Sequence, residues 1–246
     1  MTLTKLYDPA NGPMRVGGLI SGKGSNLVKL IEKENENYKM AVIFTDNPAS
    51  NARLIGERHN IPVEVNDIKE FYAKRGKPLT DMDVRAEFDA RTVELLKPYN
   101  IDMIVYAGYM KIATPTLINA FLGINVHPGN LRVLDPDGKR KFRGGKAVEL
   151  AMDAKEEFIS ASVHIMTPEV DGGPLLMVSK PLRVDYSLSP SQNQDKLKEV
   201  GDWKIFPRTL EYISQGRYSK DKNGKIYFDN TQIPTGIKLD IIDLIS

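Results

Sequence analysis

No cysteine occurs among the 246 residues of this sequence. Disulfides, thiolate nucleophiles, iron–sulfur clusters and cysteine zinc sites are therefore excluded by composition alone, and a reducing compartment is the natural setting. Long hydrophobic runs are missing too. Nothing approaches the roughly 20 apolar residues that a bilayer span requires, and the opening segment MTLTKLYDPANGPM has no apolar stretch of the kind a signal peptide carries. A soluble, cytoplasmic protein is the expectation, with no membrane partner. Charge of one sign is not in excess: 34 Lys and Arg stand against 32 Asp and Glu, a net charge of +2. A nucleic-acid-binding domain is usually far more basic. The expected partners are therefore small molecules and not nucleic acid, and any affinity for phosphate has to be local. The sequence leaves monomer and homodimer both open. A chain of this length buries a sizeable core without a metal or a disulfide.

What is present is an alternation of short Val- and Ile-rich runs with stretches of helical period, the pattern of βα units on a mostly parallel sheet. It predicts strands over 15–20, 40–45, 62–65 and 101–107, with helices over 25–32, 52–59 and 84–96. A short helix over 116–121, a strand over 124–126, a loop rich in Gly, Asp, Lys and Arg, and a helix over 147–154 follow. Two β runs, 159–166 and 175–182, are expected to pair as an antiparallel extension, and a last helix to cover 195–214. After the turn Lys222-Asn223-Gly224, residues 225–228 read as a closing strand or hairpin. No internal repeat and no Pro/Gly/Ser-rich linker divides the chain. The expected organisation is an N-terminal extension over 1–14, one α/β domain over 15–218 and a C-terminal hairpin and tail over 219–246 packed on it. The domain is read as a Rossmann-like, mostly parallel sheet flanked by helices.

The segment Ser21-Gly22-Lys23-Gly24-Ser25-Asn26 follows a strand and opens a helix, where free backbone N–H groups and the helix dipole favour an anion such as phosphate. A plain tight turn would account for the same glycines. Gly17 to Lys23 also spells G-x-x-x-x-G-K, but Gly24 stands where a nucleotide-binding P-loop needs Ser or Thr for magnesium, so a kinase or ATPase is not expected.

Asn125-Val126-His127-Pro128-Gly129 closes an apolar run, and strand alternation puts Asn125 and His127 on one face. Ligands in α/β sheets bind outside the carboxyl ends of strands. A histidine there can protonate a leaving atom or steady an oxyanion, and a primary amide can donate to the same oxyanion. The bland alternative is a histidine capping a loop. His59, ending a helix, reads as structural. His164 alternates with Val163 and Ile165 and either lines the site or caps it from beneath. Asp171-Gly172-Gly173-Pro174 is explained by turn chemistry, or by an acid that orients or deprotonates something near His127; spacing alone does not bring Asp171 to His127.

Taken in order, SGKGSN at Ser21, IDMIVYAGYMKI at Ile101, INVHP at Ile124, SVHIMTPEVDGGP at Ser162 and GDWKIFPRTLEYISQGRY at Gly201 resemble the folate-dependent formyltransferase family. The resemblance implies the formyltransferase fold, no metal, 10-formyltetrahydrofolate as co-substrate and Asn125, His127 and Asp171 as the catalytic trio. An amine attacks the formyl carbonyl, Asn125 and protonated His127 stabilise the tetrahedral oxyanion, and Asp171 supports the imidazole and proton transfer. By similarity Gly24, Ser25 and Asn26, with Arg85, hold a phosphate of the acceptor, and Asp202 contacts its ribose. That combination implies 5-phosphoribosylglycinamide, of purine biosynthesis, as the acceptor. Met110, Lys111 and Ile112 match the segment lining the folate pocket, and Thr167 to Asp171, with Val170, the loop over the pterin. Without the resemblance, Met110 and Ile112 read as ordinary core and Arg85 as a solvated helix residue.

The family usually continues after His-Pro with Ser, two apolar residues and often Pro. Here Gly129 to Gly145 follows, with Arg132, Lys139, Arg140, Lys141 and Arg143 in it, which suggests either a more anionic acceptor or a charged surface flap. An insertion over 69–82 precedes Arg85. The rival functions are formyl transfer to a different phosphorylated or nucleotide-linked amine, hydrolysis of formyltetrahydrofolate, and a non-catalytic folate- or nucleotide-binding regulator. The hydrolases usually carry an N-terminal regulatory domain, whereas 14 residues precede the first strand here. A regulator has no need of Asn125, His127 and Asp171 together.

Overall fold

The first apolar run forms the strand Met14–Ile20 in the computed structural model, which describes residues 2–239. Two compact units emerge, Pro9–Ile124 on the one hand, Met1–Asp8 with Asn125–Ser246 on the other. In the first, the spatial order is Met103–Tyr106, Met14–Ile20, Tyr38–Thr45 and Val63–Val65, all parallel. Parallel strands covered on both faces read as continuous apolar runs; Val16, Leu19, Ile43, Phe44, Ile104 and Val105 are accordingly all fully buried. Gly17 and Gly18 sit inside the first strand because neighbours crowd it. A Cβ on Gly18 would lie 2.4 Å from Leu27 Cδ1, so the glycine lets the helix Ser25–Ile31 lie close on the strand.

The segment read as an insertion, 69–82, holds a helix, Ile68–Ala73, which the sequence pattern did not suggest. Asp67 caps it by accepting from the N–H groups of Lys69 and Glu70, and Asp81 likewise caps Met82–Leu96 through Asp83 and Val84. The second helix therefore starts two residues before the expected Val84. Tyr72 Oη donates to the Asp81 carbonyl at 2.8 Å, tying the two caps together.

In the other unit, Ser162–Ile165 pairs antiparallel with Leu175–Val178, as expected, although each β run is shorter than predicted. Their outer ends, Phe158–Ile159 and Leu182–Arg183, make a separate antiparallel pair, with Pro181, which has no N–H to give a ladder, between the parts of the second run. The expected hairpin is present: Tyr218–Lys220, Ile226–Phe228 and Thr231–Gln232 form an antiparallel sheet, and Thr4–Lys5 joins its edge. Ile237–Lys238 adds to Leu175–Val178 in parallel. The remainder of the expected tail, 240–246, lies outside the described residues. The single helix expected over 195–214 is a correction. Ser189 and Gln192 form a capping box, with Pro190 at the first helical position, that starts a helix at Pro190–Leu197; a π turn follows at Lys198–Asp202, then the helix Trp203–Ser214. Pro207 lacks the N–H that would reach the Trp203 carbonyl, which weakens the ladder where the π turn ends.

The α/β expectation of a parallel sheet flanked by helices, with an antiparallel C-terminal extension, thus holds. No helix among the described residues is long and apolar enough to cross a membrane.

Candidate active site

Alternation along the strand Leu122–His127 sets Asn125 and His127 on one face, and the neighbouring strand Ser162–Ile165 brings His164 alongside. The turn after that strand supplies Asp171. These four side chains converge within the unit that holds Asn125–Ser246. His127 Nδ1 lies 3.4 Å from Asp171 Oδ2, His164 Nε2 3.3 Å from Asp171 Oδ1, and Asn125 Nδ2 3.3 Å from His164 Nε2. His127, His164 and Asp171 are buried at 4%, 1% and 8% exposure. The bland readings of His127 as a loop cap and of Asp171 as turn chemistry alone do not explain this convergence.

Asp171 has φ +51, the left-handed region that residues with a Cβ seldom adopt. Its carboxylate accepts from the Gly144 N–H at 2.7 Å, and its main-chain carbonyl accepts from Arg140 Nη1. Burial by itself would raise the pKa of this acid. The His164 hydrogen bond, the His127 charge and the Gly144 N–H outweigh burial and push it down to about 2. It is a permanent anion at neutral pH.

His127 is poised differently. Nε2 donates to the Phe142 carbonyl at 2.8 Å, while Nδ1 faces Asp171, so two acceptors favour the charged ring. Burial opposes them and prevails, holding the pKa below its ordinary value, with His164 and Arg140 adding to the depression. Burial thus works against the protonated form that the resemblance implies, while the Phe142 carbonyl, an acceptor only, keeps a proton on Nε2. His164, left open by the sequence, reads as an orienting group. Its Nδ1 lies 3.0 Å from the Ile165 carbonyl and donates there. Neutral, its Nε2 accepts from the Asn125 amide; protonated, Nε2 donates to Asp171. Period-2 alternation was the signal for His164, but it does not say which of two faces holds the chemistry.

Gly129, where the family usually has Ser, explains how Phe142 reaches His127. A Cβ there would lie 2.6 Å from His127 Nε2 and 2.7 Å from the Phe142 carbonyl oxygen. Only glycine leaves space for that hydrogen bond. Of the basic residues in this loop, Arg132 donates to the Thr235 and Gly236 carbonyls, Lys141 pairs with Glu156 and Arg143 with Glu169. These side chains fasten the loop to its own unit. Thr167 Oγ1 donates to the Glu169 carbonyl, Val170 is half-exposed, and Asp202 is buried in the π turn.

In the unit Pro9–Ile124, Gly24 caps the helix Ser25–Ile31 at φ +69, and a Cβ there would meet Ile55 Cδ1 at 2.7 Å. Ser25 and Asn26 occupy the first turn, where N–H groups have no helical acceptor. Ser21, which sequence reasoning did not single out, is the joint of the loop. Its hydroxyl donates to Asp46 at 2.5 Å and accepts from the Met110 N–H at 2.9 Å. Lys111 Nζ approaches the same Asp46 at 3.8 Å. Met110 and Ile112 are not core, as their chemistry alone suggested: they are 73% and 55% exposed, which leaves apolar side chains in water beside a polar joint. Arg85 is not solvated either. It is 5% exposed on the helix Met82–Leu96, and its Nη1 finds no hydrogen-bond acceptor among the described residues. A buried guanidinium with an idle donor has capacity for an anion.

The sequence model of the formyl transferase family matches residues 14–210. The chain is 30% identical over 218 residues to the trifunctional purine biosynthetic protein adenosine-3 of Bos taurus, covering 86% of this chain and 19% of that protein. It is 26% identical over 226 residues to the phosphoribosylglycinamide formyltransferase of Haemophilus influenzae, covering 89% of this chain and 96% of that one. It spans about a fifth of the length of the trifunctional proteins it matches. The solved structure of a phosphoribosylglycinamide formyltransferase from Coxiella burnetii superimposes with a TM-score of 0.75 at 22% identity, over 92% of this chain and 99% of that one; at this identity the likeness is one of fold.

Proposed function

We propose, from the premise that this chain belongs to the formyl transferase family, that it moves a formyl group from 10-formyltetrahydrofolate to the amine of 5-phosphoribosylglycinamide as a cytoplasmic enzyme of purine biosynthesis. The observation that carries the reading is the meeting of Asn125, His127 and Asp171 in one buried cluster. The acceptor amine adds to the formyl carbon, the carbonyl oxygen takes the electron pair, and the intermediate collapses when the folate nitrogen leaves with a proton. The Asn125 amide and the His127 Nε2–H are the donors for the oxyanion. A neutral imidazole serves, because an N–H donor beside developing charge lowers the barrier without having to give up its proton first. To reach Nε2 the oxyanion has to displace the Phe142 carbonyl. Asp171, anionic throughout, faces His127 Nδ1 and stabilises positive charge on the ring, while a water held by its carboxylate takes the amine proton and delivers it to the leaving nitrogen.

In this reading the glycine loop at Gly24, Ser25 and Asn26, together with Arg85, holds the acceptor's phosphate; the unpaired Nη1 of Arg85 supports that role. Asp202 accepts from the ribose hydroxyls. Met110, Lys111 and Ile112 bind folate on their unit, and Thr167 and Val170 on theirs; the exposed Met110 and Ile112 support the first assignment.

The test is turnover of a formyl-folate followed by absorbance, with and without 5-phosphoribosylglycinamide. Turnover only with that amine upholds the proposal. Turnover without any acceptor makes the protein a hydrolase, and folate binding without turnover makes the acceptor a different amine or the protein a regulator.

A further inference from the structure

The loop 129–145 departs furthest from the family pattern, yet it is tightly built. The Asp135 carboxylate accepts from the N–H groups of Asp137 and Lys139 at 3.0 and 2.8 Å, and Asp135 N–H donates to the Lys139 carbonyl at 2.7 Å. Leu134 and Arg140 form an antiparallel bridge, and Lys141 N–H donates to the Val133 carbonyl at 2.9 Å. This small ladder fixes the backbone on either side of Arg140. Arg132, Lys141 and Arg143 anchor the loop elsewhere, whereas the partly buried Arg140 guanidinium turns to the Asp171 carbonyl. Asp171 needs such a tether. It holds a left-handed conformation that disfavours any residue with a Cβ, and Gly172 and Gly173 follow it.

We infer that Arg140 is a positioning residue that clamps the Asp171 main chain, so that the carboxylate stays between His127 and His164 with the Gly144 N–H on its other side. A planar guanidinium suits this task, since its donors are fixed in direction and its charge is retained under all working conditions. The atypical loop exists, on this account, to deliver one arginine to the catalytic acid. The kinetic part of the inference rests on the formyl-transfer reading; the geometric part does not.

The full-length protein is compared with the variants Arg140→Gln, Arg140→Lys, Asp171→Asn and the double variant R140Q/D171N. R140Q is expected to lower kcat by about tenfold, the loss of one charge-assisted hydrogen bond, while the KM of the acceptor stays within about twofold. R140K recovers most of the rate, and R140Q adds nothing in the D171N background, because both changes act through one carboxylate. The ring-nitrogen NMR shifts of His127 and His164, readily assigned among 3 histidines, move in R140Q as they do in D171N and stay near wild type in R140K. A raised acceptor KM at unchanged kcat overturns the inference, since Arg140 would then bind the acceptor's anion directly. Unmoved ring-nitrogen shifts in a folded R140Q overturn it as well. If the wild-type protein formylates no acceptor, the formyl-transfer reading fails by itself, and the NMR shifts alone decide the role of Arg140.

Discussion

Gly129 shows how a missing side chain can govern a reacting one. Its bare Cα lets the Phe142 carbonyl reach His127, and the same close cover buries the ring that it tunes. Gly129→Ala is therefore expected to push the Phe142 carbonyl off His127 Nε2 while the added methyl keeps the ring covered. Because that carbonyl favours the charged ring, His127 should then titrate lower still, in an NMR titration of the imidazole; a pKa that stays put or rises would refute this account. His127→Ala removes the donor altogether, and turnover should drop by about 100- to 10,000-fold, with folate affinity, measured by calorimetry, nearly unchanged. Loss of folate binding in a folded variant would instead give His127 a binding role. At this scale the sequence was partly legible. Asn125 and His127 declared themselves through alternation on a strand end, but the depressed pKa of His127 follows from burial, with His164 and Arg140 adding to it, and no spacing rule foretells these surroundings.

At the scale of elements, the turns that carry glycine are the sensitive points. Gly173 lies between the strand that holds His164 and its antiparallel partner, and a Cβ there would sit on the Ile165 carbonyl oxygen, a backbone atom that cannot retreat without breaking the pair. At Gly172 a Cβ meets only the Glu169 side chain, which can swing away. Gly173→Ala should therefore destabilise the protein by several kcal/mol, roughly the upper range for overpacking with backbone movement, and Gly172→Ala by far less. Urea midpoints read the difference, and equal midpoints would show that the turn adapts. Gly24→Ala combines left-handed strain with a 2.7 Å approach to Ile55 Cδ1. It is expected to cost about 2–4 kcal/mol and to disturb the first turn, where phosphate is proposed to bind. Element types were readable from period and composition. The helix Ile68–Ala73 and the start at Pro190 were missed although their caps, Asp67 and the Ser189–Gln192 box, stand in the sequence. The π turn could not be seen in advance, because it depends on how the ladder around Pro207 adjusts in three dimensions.

For the molecule as a whole, the pKa shifts make stability depend on pH in one direction. The folded His127 resists protonation, so as pH falls below about 6.5, the ordinary histidine value, the unfolded chain takes up a proton that the folded protein refuses, and stability declines. Asp171, depressed to about 2, contributes fully above the ordinary aspartate value, and its contribution is lost as pH falls from about 4 to about 2. The depression corresponds to about 2 kcal/mol. Urea midpoints should therefore fall on acidification in two stages, the first flattened in His127→Gln and the second in Asp171→Asn. A midpoint that rises between pH 7 and pH 5 would contradict the depressed pKa of the buried His127.

Composition, period and motif sufficed for the class of the fold and for the candidate reacting groups. Apolar period records which faces are buried, and a strand end with Asn and His two residues apart needs no partner to be recognised. Composition also excluded whole chemistries, because a chain without cysteine has no thiolate to offer. What surrounds those groups depends on the folded chain. Asp171 lies 44 positions after His127, and its distance from that ring, its left-handed backbone and its clamp by Arg140 depend on how a strand, a turn and a loop pack together. The same holds for burial, which made Arg85 an interior cation, Met110 an exposed thioether and His127 a ring that resists protonation. Protonation and affinity follow from dielectric surroundings and close neighbours, and these come into being only when distant segments of the chain are brought into contact.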